Sequence, residues 1–341
     1  MPDRFLTFLN SSIIQNIGWT SELQSAYIVE ELLIISNLIE YIFIFYLLLK
    51  FRVIHLNLHI LLLVYGGQYF LSISARSVLI YLQYFEVEDQ EDLIKIANYC
   101  RTICVFLALG MLPFLIFERC FATCLAGTYE NNNHLWIPGL LISIMIPYST
   151  LSAVAYIRNW YPVYIHCLNF ICFNIGGSVL LVIIEKCNFR LHRNYTPRHP
   201  SYSLSTRFQI SENIKTCQWL STIQVSILFF NFACSSLLFL EFTSFSDKFI
   251  ITANVVFNFT CILYAAIVPW VIIYHTPEWS RETKRLFYLL TSRKTEINQN
   301  LLTTFGQEMV YDKDVEAQLY FDFLAKDLSM AKNGGNEEVF L

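Results

Sequence analysis

Apolar residues fall into seven long runs separated by short polar links, at residues 27–49, 58–84, 96–118, 136–156, 164–184, 217–240 and 249–274. A helix of about 20 residues crosses a bilayer core roughly 30 Å thick, and every run meets that length. Nothing after Tyr274 is apolar for long enough to add an eighth. The pattern predicts an all-α membrane protein, a bundle of seven transmembrane helices spanning residues 27–274. Around it lie an extracellular tail (1–26), an amphipathic membrane-surface helix (275–294) and an acidic cytoplasmic tail (295–341). Residues 1–20 lack a basic region followed by an apolar core, so the first run is expected to direct insertion itself.

The polar links orient the bundle. Fourteen basic residues fall on one side: Lys50 and Arg52, Arg119, six from Lys186 to Lys215, and five from Arg281 to Lys294. The other side holds four, Arg4, Lys95, Arg158 and Lys248. Short loops rich in Lys and Arg stay in the cytoplasm, which predicts an outside amino terminus and a cytoplasmic carboxyl terminus. Of the three glycosylation sequons, only Asn10 then faces outward; Asn194 falls in an inner loop and Asn258 inside the seventh run.

Composition agrees with a lipid environment. The chain is 55% hydrophobic, has a mean hydropathy of +0.46 and is 15% charged, where soluble domains carry about 25% charge. No basic patch points to nucleic acid. Ten cysteines sit mostly within or at the inner ends of apolar runs, as small buried hydrophobes do. Cys100 and Cys167 alone could meet on the outer side and form the candidate disulfide. Metal-ligating, phosphate-cradling and nucleophile motifs are missing, so neither enzyme nor cofactor nor metal is expected.

Charged and amide side chains inside the runs are costly unless partnered or facing water. Glu30, Glu31 and Glu40 lie in the first run, Arg76 in the second and Arg101 at the start of the third. One reading is an ion-paired cluster tying three helices together. The other is an arginine left unpaired that binds an anionic or hydrogen-bond-accepting ligand from an outer cavity. Asn37 and Glu40 share a face of the first run, which favours hydrogen bonding between helices. Asn254 and Asn258, four apart in the seventh, either bond across helices or line the pocket. Pro113, Pro138, Pro147 and Pro269 each remove a backbone hydrogen bond within a run, and Gly176-Gly177 permits close helix approach. Forty-nine Phe and Tyr residues suit a pocket for apolar odorants and suit helix packing equally.

Beyond Tyr274, Trp279, Leu286 and Phe287 are placed to sink into the lipid interface, with Arg281, Lys284 and Arg285 toward the head groups. Val315, Leu319, Phe323 and Leu328 recur near helical spacing in a tail that otherwise reads as solvated.

Four stretches carry a resemblance: Glu118-Arg119-x-x-Ala122-Thr123 at the end of the third run, Leu204-Ser205-x-Arg207-Phe208-Gln209-x-x-Glu212-Asn213 before the sixth, Pro269 in the seventh, and Pro277-Glu278-Trp279 after it. With seven spans they resemble the nematode serpentine chemoreceptors of class epsilon, within the G-protein-coupled receptor superfamily. The resemblance covers nearly the whole chain from the first run to about Phe287. It implies an external small-molecule ligand in the outer half of the bundle, with Arg76, Arg101, Glu30, Asn254 and Asn258 as candidate lining residues. It implies a heterotrimeric G protein at the cytoplasmic face, met by Glu118, Arg119, Arg207, Gln209, Glu212 and Asn213. It also implies the plasma membrane, that of sensory cilia among others, and pairing with a like or unlike receptor. The plainer readings are a topological anchor for Arg119 and solvated helix-end charges for the other coupling residues. The chain departs from the rhodopsin-like pattern: Cys120 follows the Glu-Arg pair, no aspartate lies in the second run, no proline breaks the sixth, and Asn-Pro-x-x-Tyr is absent. A ligand-gated cation channel is the rival, but it would be expected to keep its amino terminus inside, against the basic-residue distribution. A transporter would often show repeated halves, and none is visible.

Overall fold

The computed structural model describes residues 18–51, 54–85, 87, 90–126, 129, 135–194, 204–240 and 246–290. Among these, all regular structure is helical: α1 (Thr20–Lys50), α2 (Leu56–Tyr84), α3 (Glu91–Cys124), α4 (Trp136–Ile157), α5 (Val163–Asn194), α6 (Leu204–Leu240), α7 (Asp247–His275) and α8 (Pro277–Leu290). The first seven are long and apolar enough to cross a membrane, as expected. Asn10, the acidic tail from 295 and the helical spacing of Val315 to Leu328 lie outside the described residues. The bundle belongs to a compact unit, Met1–Leu286; of the second unit, Phe287–Leu341, only the end of α8 is described.

The helices overrun the apolar runs. α5 continues ten residues past Ile184 to Asn194, and α6 starts thirteen residues before Cys217. Helical hydrogen bonding does not require apolar side chains, so the polar ends extend each helix beyond the lipid. α3 likewise continues to Cys124. The Glu118-Arg119 pair therefore sits more than a turn inside the helix rather than at its end, with Cys120 and Phe121 still to follow.

α3 is the central strut. It packs against α2, α4, α5 and α6, while α1 meets α2 and α7, and α6 meets α5 and α7. Most of its side chains are buried, whereas Leu32, Ile39 and Leu49 of α1 and Phe229 of α6 are exposed as lipid-facing residues are. Aromatic rings fill the interior: Tyr41 lies 4.6 Å from Tyr69, and Phe230 stacks on Tyr264 at 5.3 Å.

Two prolines explain polar residues that otherwise look misplaced. A proline at position i leaves the carbonyl at i−4 without its donor. Pro113 frees the Leu109 carbonyl, which accepts from the amides of Asn174 (2.8 Å) on α5 and Asn231 (3.2 Å) on α6. Pro269 frees the Ala265 carbonyl, which accepts from the Tyr41 hydroxyl at 3.2 Å. A neighbouring helix thus replaces each lost bond, as lipid cannot. Asn37 also reaches α7, donating to the Ile262 carbonyl at 3.0 Å. Gly177 lets α5 approach the kink: a Cβ there would stand 3.3 Å from Pro113, while one on Gly176 would touch nothing within 4 Å. Only one glycine of the pair serves close packing.

Two sequence expectations are corrected. All ten cysteines are free, and Cys167 turns inward on α5, its thiol donating to the Ser235 carbonyl at 3.2 Å. It faces α6, not Cys100. Trp279 does not enter the interface; it is 2% exposed and joins the core of the bundle. Thr276, just before α8, accepts from the Trp219 indole at 3.0 Å, and Glu282 binds Lys50 of α1 at 2.7 Å.

Candidate functional site

Two polar clusters lie along α3. The first surrounds its C-terminal turns. Glu118 and Arg119 are both buried, at 0% and 1% exposure. The guanidinium grips the carboxylate with two bonds, Nε to Oε2 at 2.5 Å and Nη2 to Oε1 at 2.6 Å. A buried charge pair persists only when its remaining valences are met. Here they are: Arg119 Nη1 donates to Asn213 Oδ1 on α6 at 3.1 Å, and Asn213 returns its amide to the Ala122 carbonyl at 3.1 Å. On the other side the Tyr129 hydroxyl donates to Glu118 and accepts from the Asn57 amide at 2.8 Å. Burial, then the Glu118 carboxylate, push the Tyr129 phenol well above its ordinary pKa, so it stays a neutral donor.

Two of the four stretches that carried the resemblance therefore touch: Arg119 and Ala122 come from one, Asn213 from the other. Thr123 of the first also accepts from Asn188 of α5 at 2.9 Å. Gln209 and Glu212 line a small crevice beside Arg119, with His55 and Tyr129 across it. Arg207 is half-buried near the start of α6, outside this crevice. The arrangement closes one end of the bundle by holding α6 on α3.

The second cluster lies about 15 Å along α3 from its first residue, at 1.5 Å per residue. Arg76 of α2 is gripped by Glu30 of α1, Nε to Oε1 at 2.6 Å and Nη2 to Oε2 at 2.7 Å. Glu31 accepts from Ser77 at 2.9 Å. Arg101 joins neither carboxylate; its Nη1 donates to the Ser72 hydroxyl at 2.5 Å. Both arginines line a cavity of about 40 Å³ between α1, α2, α3, α6 and α7. That is room for a few waters, since one needs roughly 10–15 Å³ of such volume. Glu30 sits behind Arg76. Asn258 turns back on its own helix, donating to the Asn254 carbonyl and side-chain oxygen at 3.1 and 3.2 Å. Neither asparagine lines this cavity.

Several residues here carried no sequence signal. Gln68, Tyr69, Cys104, Cys234 and Tyr264 face the cavity, yet each stands in an apolar run without a pattern to say which side faces inward. Tyr129, Asn57 and Asn188 were equally silent. Asking of asparagines inside the runs the question asked of charges would have found Asn174 and Asn231.

Comparison with known proteins finds a family and its relatives. The family profile described as Sre G protein-coupled chemoreceptor matches residues 5–328. Serpentine receptor class epsilon-8 of Caenorhabditis elegans is 36% identical over 325 residues, covering 93% of this chain and 95% of that protein. Serpentine receptor class epsilon-13 of the same organism is 27% identical over 245 residues, covering 66% and 67% respectively.

Proposed function

The chain belongs to the Sre family of G protein-coupled chemoreceptors, and on that premise we propose that it converts binding of an external small molecule into activation of a heterotrimeric G protein. It is a multi-pass membrane protein of a receptor class rather than an enzyme class. The carrying observation is the double link between α3 and α6 at Asn213, which accepts from Arg119 and donates to the Ala122 carbonyl. The ligand enters the half of the bundle where Arg76 and Arg101 line a narrow cavity, and its binding favours an arrangement in which α6 has left α3. Population shifts between the two arrangements only as far as the ligand's affinities for them differ. The end holding Arg119, Gln209, Glu212 and Asn213, with Arg207 nearby, then opens to the G protein. This end is cytoplasmic by the distribution of basic residues. The plasma membrane of sensory cilia is the site the family suggests, with receptor pairing a further possibility.

Heterologous expression with a G-protein activation readout tests this reading, using volatile and water-soluble ligands and the Arg119→Ala variant at equal surface expression. A ligand-dependent signal lost in the variant, with glycan on Asn10 alone, supports it. A ligand-evoked current that persists without G proteins, or glycan on Asn194, overturns it in favour of a channel.

A further inference from the structure

The two arginines of the narrow cavity differ in one respect that bears on ligand chemistry. Arg76 is neutralised by Glu30 through two short bonds. Arg101 is 6% exposed, keeps a single hydrogen bond to the neutral Ser72 hydroxyl, and has no carboxylate within ion-pair distance among the described residues. Its Nε carries a proton with no acceptor. A guanidinium stays charged in any protein environment, and a buried charge without a counter-charge is unfavourable enough that membrane proteins supply one from a side chain, water or a ligand.

The cavity wall matches one kind of supplier. Arg101 offers Nε, and the amide of Gln68 has both its nitrogen and its oxygen buried without a partner. The rest of the wall is mostly apolar, from Ile34, Val105 and Leu109 among others, with Asn37, Ser72 and the rings of Tyr69 and Tyr264 also facing it. Glu30 and Glu31 balance the two arginines in number, but both carboxylates stand outside the cavity lining, so the charge presented to a ligand is the guanidinium of Arg101.

Resting on the receptor reading above, we propose that the ligand is a small organic carboxylate whose head group docks on Arg101 and whose short apolar body lies toward α3 and α6. The planar fork of the guanidinium fits a carboxylate in two-point contact. A neutral ester or amide of the same skeleton fills the same space and leaves the charge uncompensated. Arg101 is then the residue that sets specificity, while Arg76, already occupied by Glu30, holds α1 to α2.

The test uses the full-length receptor purified in lipid nanodiscs in chloride-free sulfate buffer, with its thermal midpoint as readout. Carboxylates from acetate to octanoate, and benzoate, are each compared at millimolar concentration with the methyl ester, amide and amine of the same skeleton. Ligands that bind only the folded state raise the midpoint. At least one carboxylate is expected to raise it by several degrees where its ester, amide and amine do not. Arg101→Gln should abolish that shift and Arg101→Lys should retain part of it. Ser143→Ala, on the exposed face of α4 and away from the cavity, should leave it intact. Without ligand, Arg101→Gln should raise the midpoint, because it removes an uncompensated charge, whereas Arg76→Gln should lower it.

The inference is overturned if no carboxylate shifts the wild-type midpoint, if esters or amines shift it equally, if chloride does as well as any carboxylate, or if the shift survives Arg101→Gln. Should both Arg101 variants fail to fold, the wild-type panel and Ser72→Ala decide, the latter being expected to weaken the shift. Because the midpoint needs no G protein, the two readings fail separately. Carboxylate stabilisation without nucleotide exchange leaves the anion site standing and removes the receptor reading. Nucleotide exchange driven only by neutral ligands does the reverse.

Discussion

Asn213 of α6 accepts from the Arg119 guanidinium of α3 at 3.1 Å, and its amide donates back to α3 at the Ala122 carbonyl one turn on, also at 3.1 Å. Glu118 keeps its grip on Arg119 independently. When α6 moves away, the charge pair therefore survives while two bonds to α6 are lost. The cost of opening resides in an uncharged residue.

Replacing Asn213 with alanine should accordingly raise ligand-independent G-protein activation. A hydrogen bond to a charged group contributes about 1.5–3 kcal/mol, enough to change the open population on the order of tenfold. Basal nucleotide exchange at matched surface expression measures this. An unchanged basal rate would show that the link does not hold the closed state.

The Asn174 and Asn231 amides exist, by this structure, because Pro113 freed the Leu109 carbonyl. Asn174→Ala should cost about 1–2 kcal/mol in the native background. In a Pro113→Ala background the backbone N–H returns, and the same change should cost less than about 0.5 kcal/mol. Thermal midpoints of the four proteins in the cycle give the coupling, and equal costs in both backgrounds would refute the assignment.

Trp279 anchors α8 in the protein core rather than in lipid. Trp279→Ala should destabilise by about 3–5 kcal/mol, the range for large aromatic deletions in packed cores, and Trp279→Phe by much less. A surface-binding tryptophan would instead lose only membrane affinity, leaving the midpoint in detergent unchanged.

Glu282 adds a pH-dependent share to the same attachment. Burial opposes its ionisation, but hydrogen bonds from Lys50, Arg285 and Tyr46 hold its carboxyl below the ordinary value of 4.5. A carboxyl with a depressed folded pKa stabilises above its unfolded pKa and loses that contribution as pH falls through the folded one. The contribution is under about 1 kcal/mol, since its basic partners are largely in water. The gap between wild-type and Glu282→Gln midpoints should be constant near neutrality and close below pH 4.5. A gap that widened on acidification would contradict the assignment.

Much of the architecture was legible beforehand because lipid imposes it: apolar length located all seven helices, and the Glu118-Arg119 pair stood out as charge in an apolar run. What was not legible was facing. Cys167 and Cys100 looked able to meet, but Cys167 turns toward Ser235, and an all-apolar helix gives no period from which to read its inward side. Trp279 misled for a related reason, since an aromatic near basic residues suits the interface and the core equally. Of the two readings of the buried charges, the ion pair is present at Arg76, between two helices rather than three, and ligand binding at an arginine is the proposal made above. Arg76 is paired, Arg101 is not, and only the choice made by Glu30 between two arginines of like chemistry separates them.

The narrowness of the cavity also sets a clock. With about 40 Å³ of free space it has no room for an organic molecule until its walls part, so the observed association rate should rise with ligand concentration and then level off at the rate of opening. Apparent affinity is weakened because only the open fraction can bind. Ligands of very different strength would share that ceiling, and a substitution at Tyr41, which packs on the cavity-lining Tyr69 from outside the lining, would lift it for all of them without altering a single group the ligand touches.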